Sequence, residues 1–289
     1  HNPQRSGAIR PRPPPLQGRG LTGGAIKQLT MTGFLFQDVI FGPVRSRRLG
    51  LSLGVNLLPL HYKYCSFNCI YCECGWTKKH DEPGNELPSR ETVALYLEKR
   101  LTAMSGEGLL PDAITFAGNG EPTMHPDFSA IIDDTIRLRD LLAPGALVSV
   151  LTNSSMIGDP QIFNSLAKID RNICKLDAGS ERIFQLLNNP AAGNRLSNVV
   201  ENLSKFQGKV IIQSMFLRGR FKNEVIDNTV GEEVSLWIDH LRIIRPSMVM
   251  IYPIARETPV HSLEIIPASE LEVIAERVRE CGIVAQVYQ

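Results

Sequence analysis

Short apolar segments and amphipathic helical segments alternate along most of this chain, and that alternation restricts the fold more than any other feature. The strand candidates are Leu51–Leu58, Ala113–Ala117, Ala146–Leu151, Ile173–Asp177, Lys209–Met215 and Met248–Ile254. Each is brief, apolar and bounded by turn residues, as expected of strands covered on both faces of a parallel sheet. After the first gap they recur every ~25 to 40 residues, the spacing of repeated βα units. Several helix starts are also legible. Ser89 precedes a stripe of Val93, Leu97 and Leu101, Asp159-Pro160 reads as a cap followed by proline in the first turn, and Ser180 opens a run with Ile183, Phe184 and Leu187. Ser269-x-x-Glu272 reads as a capping box whose helix ends at Gly282, and Ile283–Tyr288 reads as a last strand. Six strand–helix units predict an α/β fold, a partial (β/α)6 TIM-like barrel forming one domain over residues 31–289.

A chain of 289 residues that is 43% hydrophobic is long enough for one such domain and its core. No apolar run approaches the ~20 residues that span a bilayer, so no membrane association is expected. Residues 1–30 read as a disordered tail or upstream extension. Arg10-Pro-Arg-Pro-Pro-Pro15 and scattered glycines give no periodicity, and the prolines break the amphipathic helix of a transit peptide. Five of the 31 basic side chains lie in that stretch, which leaves 26 against 30 acidic ones, a body about four charges negative. A strongly cationic nucleic-acid binder does not look like that. Six cysteines, four of them between residues 65 and 74, indicate metal binding in a reducing cytoplasmic setting rather than a disulfide framework.

Cys65, Cys69 and Cys72 stand in Cys65-Ser-Phe-Asn-Cys69-Ile-Tyr-Cys72, at the C-terminal end of the first strand. Three soft thiolates in one loop suit zinc or an iron–sulfur cluster. A structural zinc would want a fourth ligand, for which Cys74 is available. Cys174 and Cys281 read as ordinary buried small residues. Gly118-Asn-Gly-Glu121-Pro122, Thr152-Asn153-Ser154, Asp177-Ala-Gly179, Arg218-Gly-Arg220 and Tyr252-Pro-Ile-Ala-Arg256 all follow strands on that same rim, where barrel enzymes build their sites.

The CxxxCxxC loop, with Tyr71 before its last cysteine, resembles the radical S-adenosylmethionine superfamily. Phe41-Gly-Pro-Val-Arg-Ser-Arg-Arg-Leu-Gly50, Gly118-Asn-Gly-Glu-Pro-Thr123 and Lys175-Leu-Asp-Ala178 resemble its wyosine-synthase-related branch, and the similarity runs from about Phe34 to Pro259. The resemblance implies a [4Fe–4S] cluster on Cys65, Cys69 and Cys72, with S-adenosylmethionine on the fourth iron. An electron, from a donor such as flavodoxin or ferredoxin, would then release a 5′-deoxyadenosyl radical that abstracts hydrogen from substrate. Cys74 would lie beside the cluster without ligating it.

The same resemblance assigns cofactor contacts. Gly118 and Gly120 would let backbone approach the ligand, and Glu121 would accept from an ammonium group, in a glycine-glycine-glutamate motif into which Asn119 is inserted. Asn153 and Asp177 would meet ribose hydroxyls or the methionine carboxylate, unless they cap helices. Gln213 would point into the barrel or away from it, and Tyr252 lies where backbone would meet adenine or simply end a strand. His125 reads as a turn residue, and Lys63 as a side chain that could face substrate. Arg45, Arg47 and Arg48, before the first strand, and Arg218, Arg220, Lys222 and Arg256, on later rim loops, read as phosphate or carboxylate ligands, or as a solvated basic rim. The substrate that the branch implies is a base in transfer RNA. A peptide or small molecule is the alternative, and a metal-bound interaction or RNA-binding module without catalysis is the reading of another class. No cysteine lies between Met31 and Cys65, so the second cluster of archaeal wyosine synthases is not expected.

Overall fold

The computed structural model describes residues 33–46, 48–77 and 86–289. The expected tail at 1–30 and Arg47 lie outside the described residues. One sheet of eight strands runs β1-β2-β3-β4-β5-β6-β9-β11. It consists of β1 (Ile40–Ser46), β2 (Gly50–Val55), β3 (Ala113–Phe116), β4 (Leu147–Thr152), β5 (Arg171–Lys175), β6 (Ile211–Met215), β9 (Met248–Tyr252) and β11 (Ala285–Val287). All neighbours are parallel except β1 with β2. The six expected strands are β2, β3, β4, β5, β6 and β9, and β11 is the expected last one. Its edge strands β1 and β11 do not pair, so the barrel is partial and open.

Helices α1 (Arg90–Gly106), α2 (Phe128–Leu142), α3 (Pro160–Lys168), α4 (Glu181–Asn188), α5 (Leu196–Ser204), α6 (Gly231–Ile244) and α7 (Ala268–Arg279) occupy the connections. Ser89, Asp159 and Ser180 cap as expected, accepting from the backbone N–H groups of Thr92, of Gln161 and Ile162, and of Ile183. The capping box does not form. Pro267 stands at the N-cap of α7, which places Ser269 inside the first turn, while Glu272 pairs with Arg279 at 2.7 Å. Gly282 follows the helix at φ +76°.

Two parts of the fold were not expected as strands. In β1, Pro43 sits at a register shift between Phe41 and Val44 on an edge strand, one of the few places where a sheet tolerates proline. Beyond β6, β7 (Leu217–Phe221), β8 (Glu224–Asp227) and β10 (Glu264–Ile265) make a second, antiparallel sheet in the order β10-β7-β8. Its hairpin turns at Lys222 and Asn223, both at positive φ, as a two-residue primed turn requires. Arg218 and Arg220 are therefore strand residues rather than rim-loop residues. Arg218 is engaged by Glu270 and Thr229.

Strand side chains alternate between two environments. Ile114, Val148, Cys174, Ile212 and Val249 belong to the large core under the helices. Their neighbours Ala113, Ile173 and Met250 meet Leu49, from the β1–β2 turn, in a small separate cluster. That cluster floors the barrel interior, and the functional residues lie above it. No helix among the described residues is long and apolar enough to cross a membrane.

Candidate active site

The chain leaves β2 through Asn56, which organises two turns at once. Its Oδ1 accepts from the backbone N–H groups of Leu58 (3.2 Å) and Asn119 (3.1 Å). Asn119 is fully buried and donates through Nδ2 to the carbonyls of Phe36 (2.9 Å) and Pro59 (2.8 Å), while its Oδ1 accepts from Phe36 N–H at 2.8 Å. The residue inserted in the glycine-glycine-glutamate pattern therefore fastens three segments together. The two glycines beside it are required by protein packing. A Cβ on Gly118 would lie 2.2 Å from Asn56 Oδ1, and one on Gly120 would lie 1.8 Å from the Tyr64 carbonyl. Tyr64 and Gly120 form an isolated parallel bridge that docks the cysteine loop on the turn after β3.

The loop's other side rests on the end of α4. Ile70 N–H donates to Leu187 O (3.0 Å), Asn68 N–H to Asn188 O (3.1 Å), and Ala191 N–H to Ser66 O (2.8 Å). Cys65, Cys69 and Cys72 consequently line one cavity of about 280 Å³, with Cys74 beside them. Each of the first three sulfurs faces a donor. Cys65 Sγ accepts from Phe67 N–H at 3.4 Å and Asn153 Nδ2 at 3.5 Å, and Cys69 Sγ accepts from Asn188 Nδ2 at 3.5 Å. Cys72 is flanked by the Cys74 thiol and the Lys63 ammonium. Lys63 is buried, lines the cavity and donates to Gly75 O at 3.2 Å.

The electrostatics separate the four thiols. Burial pushes Cys65 up to about 12, with Lys63 opposing it, and burial also raises Cys69. The thiol of Cys74 donates to Cys72, which holds Cys72 well below the ordinary thiol range although burial opposes it, and raises Cys74. Burial works against the charge of Lys63, yet the facing sulfurs prevail and its pKa is raised. A fixed cation beside cysteines favours the thiolate form that binds metal.

This donor set fits an iron–sulfur cluster. Three thiols presented from one short loop share one cavity, as the cysteine ligands at separate corners of a cubane would.

Most of the expected cofactor contacts gather around the same cavity. Gly118, Gly120, Glu121, Asn153, Gln213 and Tyr252 line it, together with Lys175. Glu121 is buried. Its Oε1 accepts from Thr123 Oγ1 (2.5 Å) and Thr152 Oγ1 (2.7 Å), and its Oε2 from Asn153 N–H (2.6 Å). Burial raises its pKa against those bonds. Asn153 is thereby aimed across the cavity, its Nδ2 donating to Ser66 Oγ at 2.9 Å.

Asp177 does not line the cavity. Its side chain is enclosed, accepting from Tyr71 Oη, from Asn188 Nδ2 (2.8 Å) and from Met215 N–H (2.8 Å), with Lys175 Nζ at 3.6 Å. It supports Tyr71 and Lys175. Lys175 had no expected role, yet its ammonium sits 5.0 Å over the Tyr71 ring. Burial opposes its charge, but Asp177 and the surrounding groups raise its pKa. His125 is a turn residue, held by Pro88 O at 3.0 Å. Cys174 is buried as expected, and Cys281 accepts from Arg242 at 3.3 Å near the surface. Asn56, Asn119 and Asn188 were not singled out as site residues, because each works through partners distant in sequence.

Comparison with known proteins agrees with this geometry. The model of the Radical SAM superfamily matches residues 60–228. A UPF0026 protein of Methanocaldococcus jannaschii is 33% identical over 183 residues, 62% of this chain and 54% of the relative, so the chain spans about half the length of that protein. A radical SAM methyltransferase from Sphaerobacter thermophilus superposes with a TM-score of 0.61 at 14% identity, covering 82% of this chain and 65% of the other. Archaeal TYW1, a wyosine synthase, superposes with a TM-score of 0.51 at 14% identity, covering 79% and 71%. At that identity the two superpositions speak for the fold, and the matched family model spans more than half of the chain. With the cysteine loop, the cavity and the partial barrel in register, this chain belongs to the radical SAM superfamily.

Proposed function

We propose that the chain holds a [4Fe–4S] cluster on Cys65, Cys69 and Cys72 and cleaves S-adenosylmethionine reductively to act on a base in RNA, with transfer RNA as the first candidate. The observation that carries the catalytic part is the shared cavity, in which three cysteine sulfurs face Glu121, Asn153, Gln213 and Tyr252. When bound, the cluster and S-adenosylmethionine supply a 5′-deoxyadenosyl radical that abstracts hydrogen from substrate. The chain's own residues bind, orient and shield. Asn153, Asn188 and the Phe67 amide direct N–H groups at cysteine sulfur, while Lys63 and Lys175 bring positive charge to the cavity wall. Glu121 fixes Asn153 and Thr152, and the Gly120 bridge closes the loop over the turn after β3. The RNA reading is supported by the wyosine-synthase-like motifs and the TYW1-like fold. A small one-electron donor of the flavodoxin or ferredoxin kind and a reducing, cytoplasmic compartment complete it.

The test is anaerobic. The chain is loaded with iron and sulfide, reduced, and given S-adenosylmethionine with and without transfer RNA. Release of 5′-deoxyadenosine is the expected result, and none under either condition with a full cluster would sink the proposal. Replacing Cys65, Cys69 and Cys72 together by alanine should abolish both cluster and cleavage, whereas Cys74→Ala should keep the cluster. Loss of iron in the Cys74 variant would contradict the ligand assignment.

A further inference from the structure

A second cavity, of about 410 Å³, lies beside the cysteine cavity and shares Arg48, Glu73, Ala117, Met215 and Tyr252 with it. One wall comes from β1 and the turn after it, the other from the end of β9 and the residues after β11. It is thus the lateral slot between the two unpaired edges of the barrel.

Three guanidiniums line the slot against one carboxylate, and that carboxylate is taken: Arg256 pairs with Glu73 at 2.6 Å. Arg45 and Arg48 have no carboxylate partner among the described residues. Arg48 is nevertheless held in place. Ser46 Oγ accepts from its N–H at 3.3 Å, Arg171 donates to its carbonyl at 3.3 Å, and the adjacent Leu49 is buried in the barrel floor. Its guanidinium lies 5.4 Å over the Tyr252 ring, at the junction of the two cavities. Tyr288 lines the slot on the opposite edge.

We propose that this slot is the substrate pocket, and that Arg45 and Arg48 grip the phosphate of a nucleotide whose base stacks among the aromatic side chains beside Tyr252. A guanidinium fork matches phosphate oxygens, and aromatic faces accept a nucleobase. A phosphate on Arg48 leaves the attached nucleotide next to the cysteine cavity, where hydrogen would be removed. The inference rests on the reading of that cavity as catalytic. It adds that recognition is local, through two forks rather than a broad basic face, which agrees with the acidic balance of the body. A free nucleotide and a nucleotide within RNA present the same chemistry.

The test uses the cluster-loaded full chain and three kinds of probe: the four labelled ribonucleosides, their 5′-monophosphates and a transfer RNA transcript. Arg45→Gln and Arg48→Gln are compared singly and together with Arg182→Gln, which removes a surface pair with Glu224 elsewhere. Phosphate-dependent binding is expected, weakened roughly tenfold or more in the double variant and unchanged in Arg182→Gln. Transfer RNA binding tighter than the monophosphates would identify RNA as the source, with a salt dependence of about two phosphates; equal affinities would identify the free nucleotide. The assignment is overturned if the wild-type chain binds neither phosphate probe, or if the double variant binds as the wild type does. Should Arg48→Gln fail to fold, the exposed Arg45→Gln carries the test alone. Release of 5′-deoxyadenosine is followed separately, so cleavage could fail while phosphate-dependent binding stands, and the two readings fall independently.

Discussion

Asn188 shows how a single side chain can matter to a metal site without being a ligand. It lies 119 positions from Cys69 in sequence, yet its Nδ2 reaches the Cys69 sulfur at 3.5 Å and the Asp177 carboxylate at 2.8 Å. An N–H aimed at cysteine sulfur stabilises the reduced, more negative cluster, so it raises the reduction potential. Asn188→Ala should therefore lower the potential by tens of millivolts while iron content stays complete. Potentiometric titration of both proteins would decide it, and an unchanged or raised potential would remove Asn188 from that role. The cysteines were legible because their spacing is local. Asn188 was not, since only the packing of α4 against the cysteine loop brings it there. The glycines were legible for a different reason from the one the motif suggested: at Gly118 and Gly120 the neighbouring atoms are Asn56 and Tyr64.

The parallel strands were read well because burial on both faces gives short apolar runs that turns interrupt, and the same logic fails where a strand is half exposed. Strand β1 contains Gly42 and Pro43, and β7 and β8 carry Arg218, Arg220, Glu224 and Asp227, so neither looks like a buried strand. Helix starts were legible where a side chain caps the first turn, and misread at α7, where proline does the work without a side-chain bond. One of the links between elements titrates. His125 joins the segment before α1 to the start of α2, its Nε2 meeting Pro88 O at 3.0 Å while Asp127 N–H donates to its Nδ1 at 3.0 Å. Burial holds its pKa below the ordinary value, with the Pro88 carbonyl opposing. The unfolded chain then takes up the proton first, near pH ~6.5, so stability is complete above that value and falls as the pH drops towards the folded pKa. Urea unfolding of the wild type at pH ~7.5 and ~6 should show that loss, and His125→Gln should show a smaller one. Equal losses would place the acid sensitivity elsewhere.

The open barrel has to be closed at its base without a continuous ring of strands, and the β1–β2 turn does this. Leu49 enters the interior and packs with Ala113, Ile173 and Met250, apart from the larger core beneath the helices. The same turn places the Arg48 guanidinium over the Tyr252 ring, so the floor of the barrel and the wall of the slot are built by consecutive residues. Truncating Leu49 removes buried apolar volume from a cluster of four buried members, against which Leu151, Ile211, Met248 and Tyr288 also pack. Leu49→Ala should cost about 2–5 kcal/mol, as such truncations do when the cavity remains. For a chain of this size that lowers the melting temperature by roughly 2–4 °C per kcal/mol. Leu141→Ala, at a side chain 69% exposed on α2, is the matched control and should change stability by no more than about 0.5 kcal/mol. Thermal melts of the two variants side by side measure the difference. If Leu49→Ala melts no lower than Leu141→Ala, the turn is not the floor of the barrel, and Arg48 loses the support that fixes it beside the cysteine cavity.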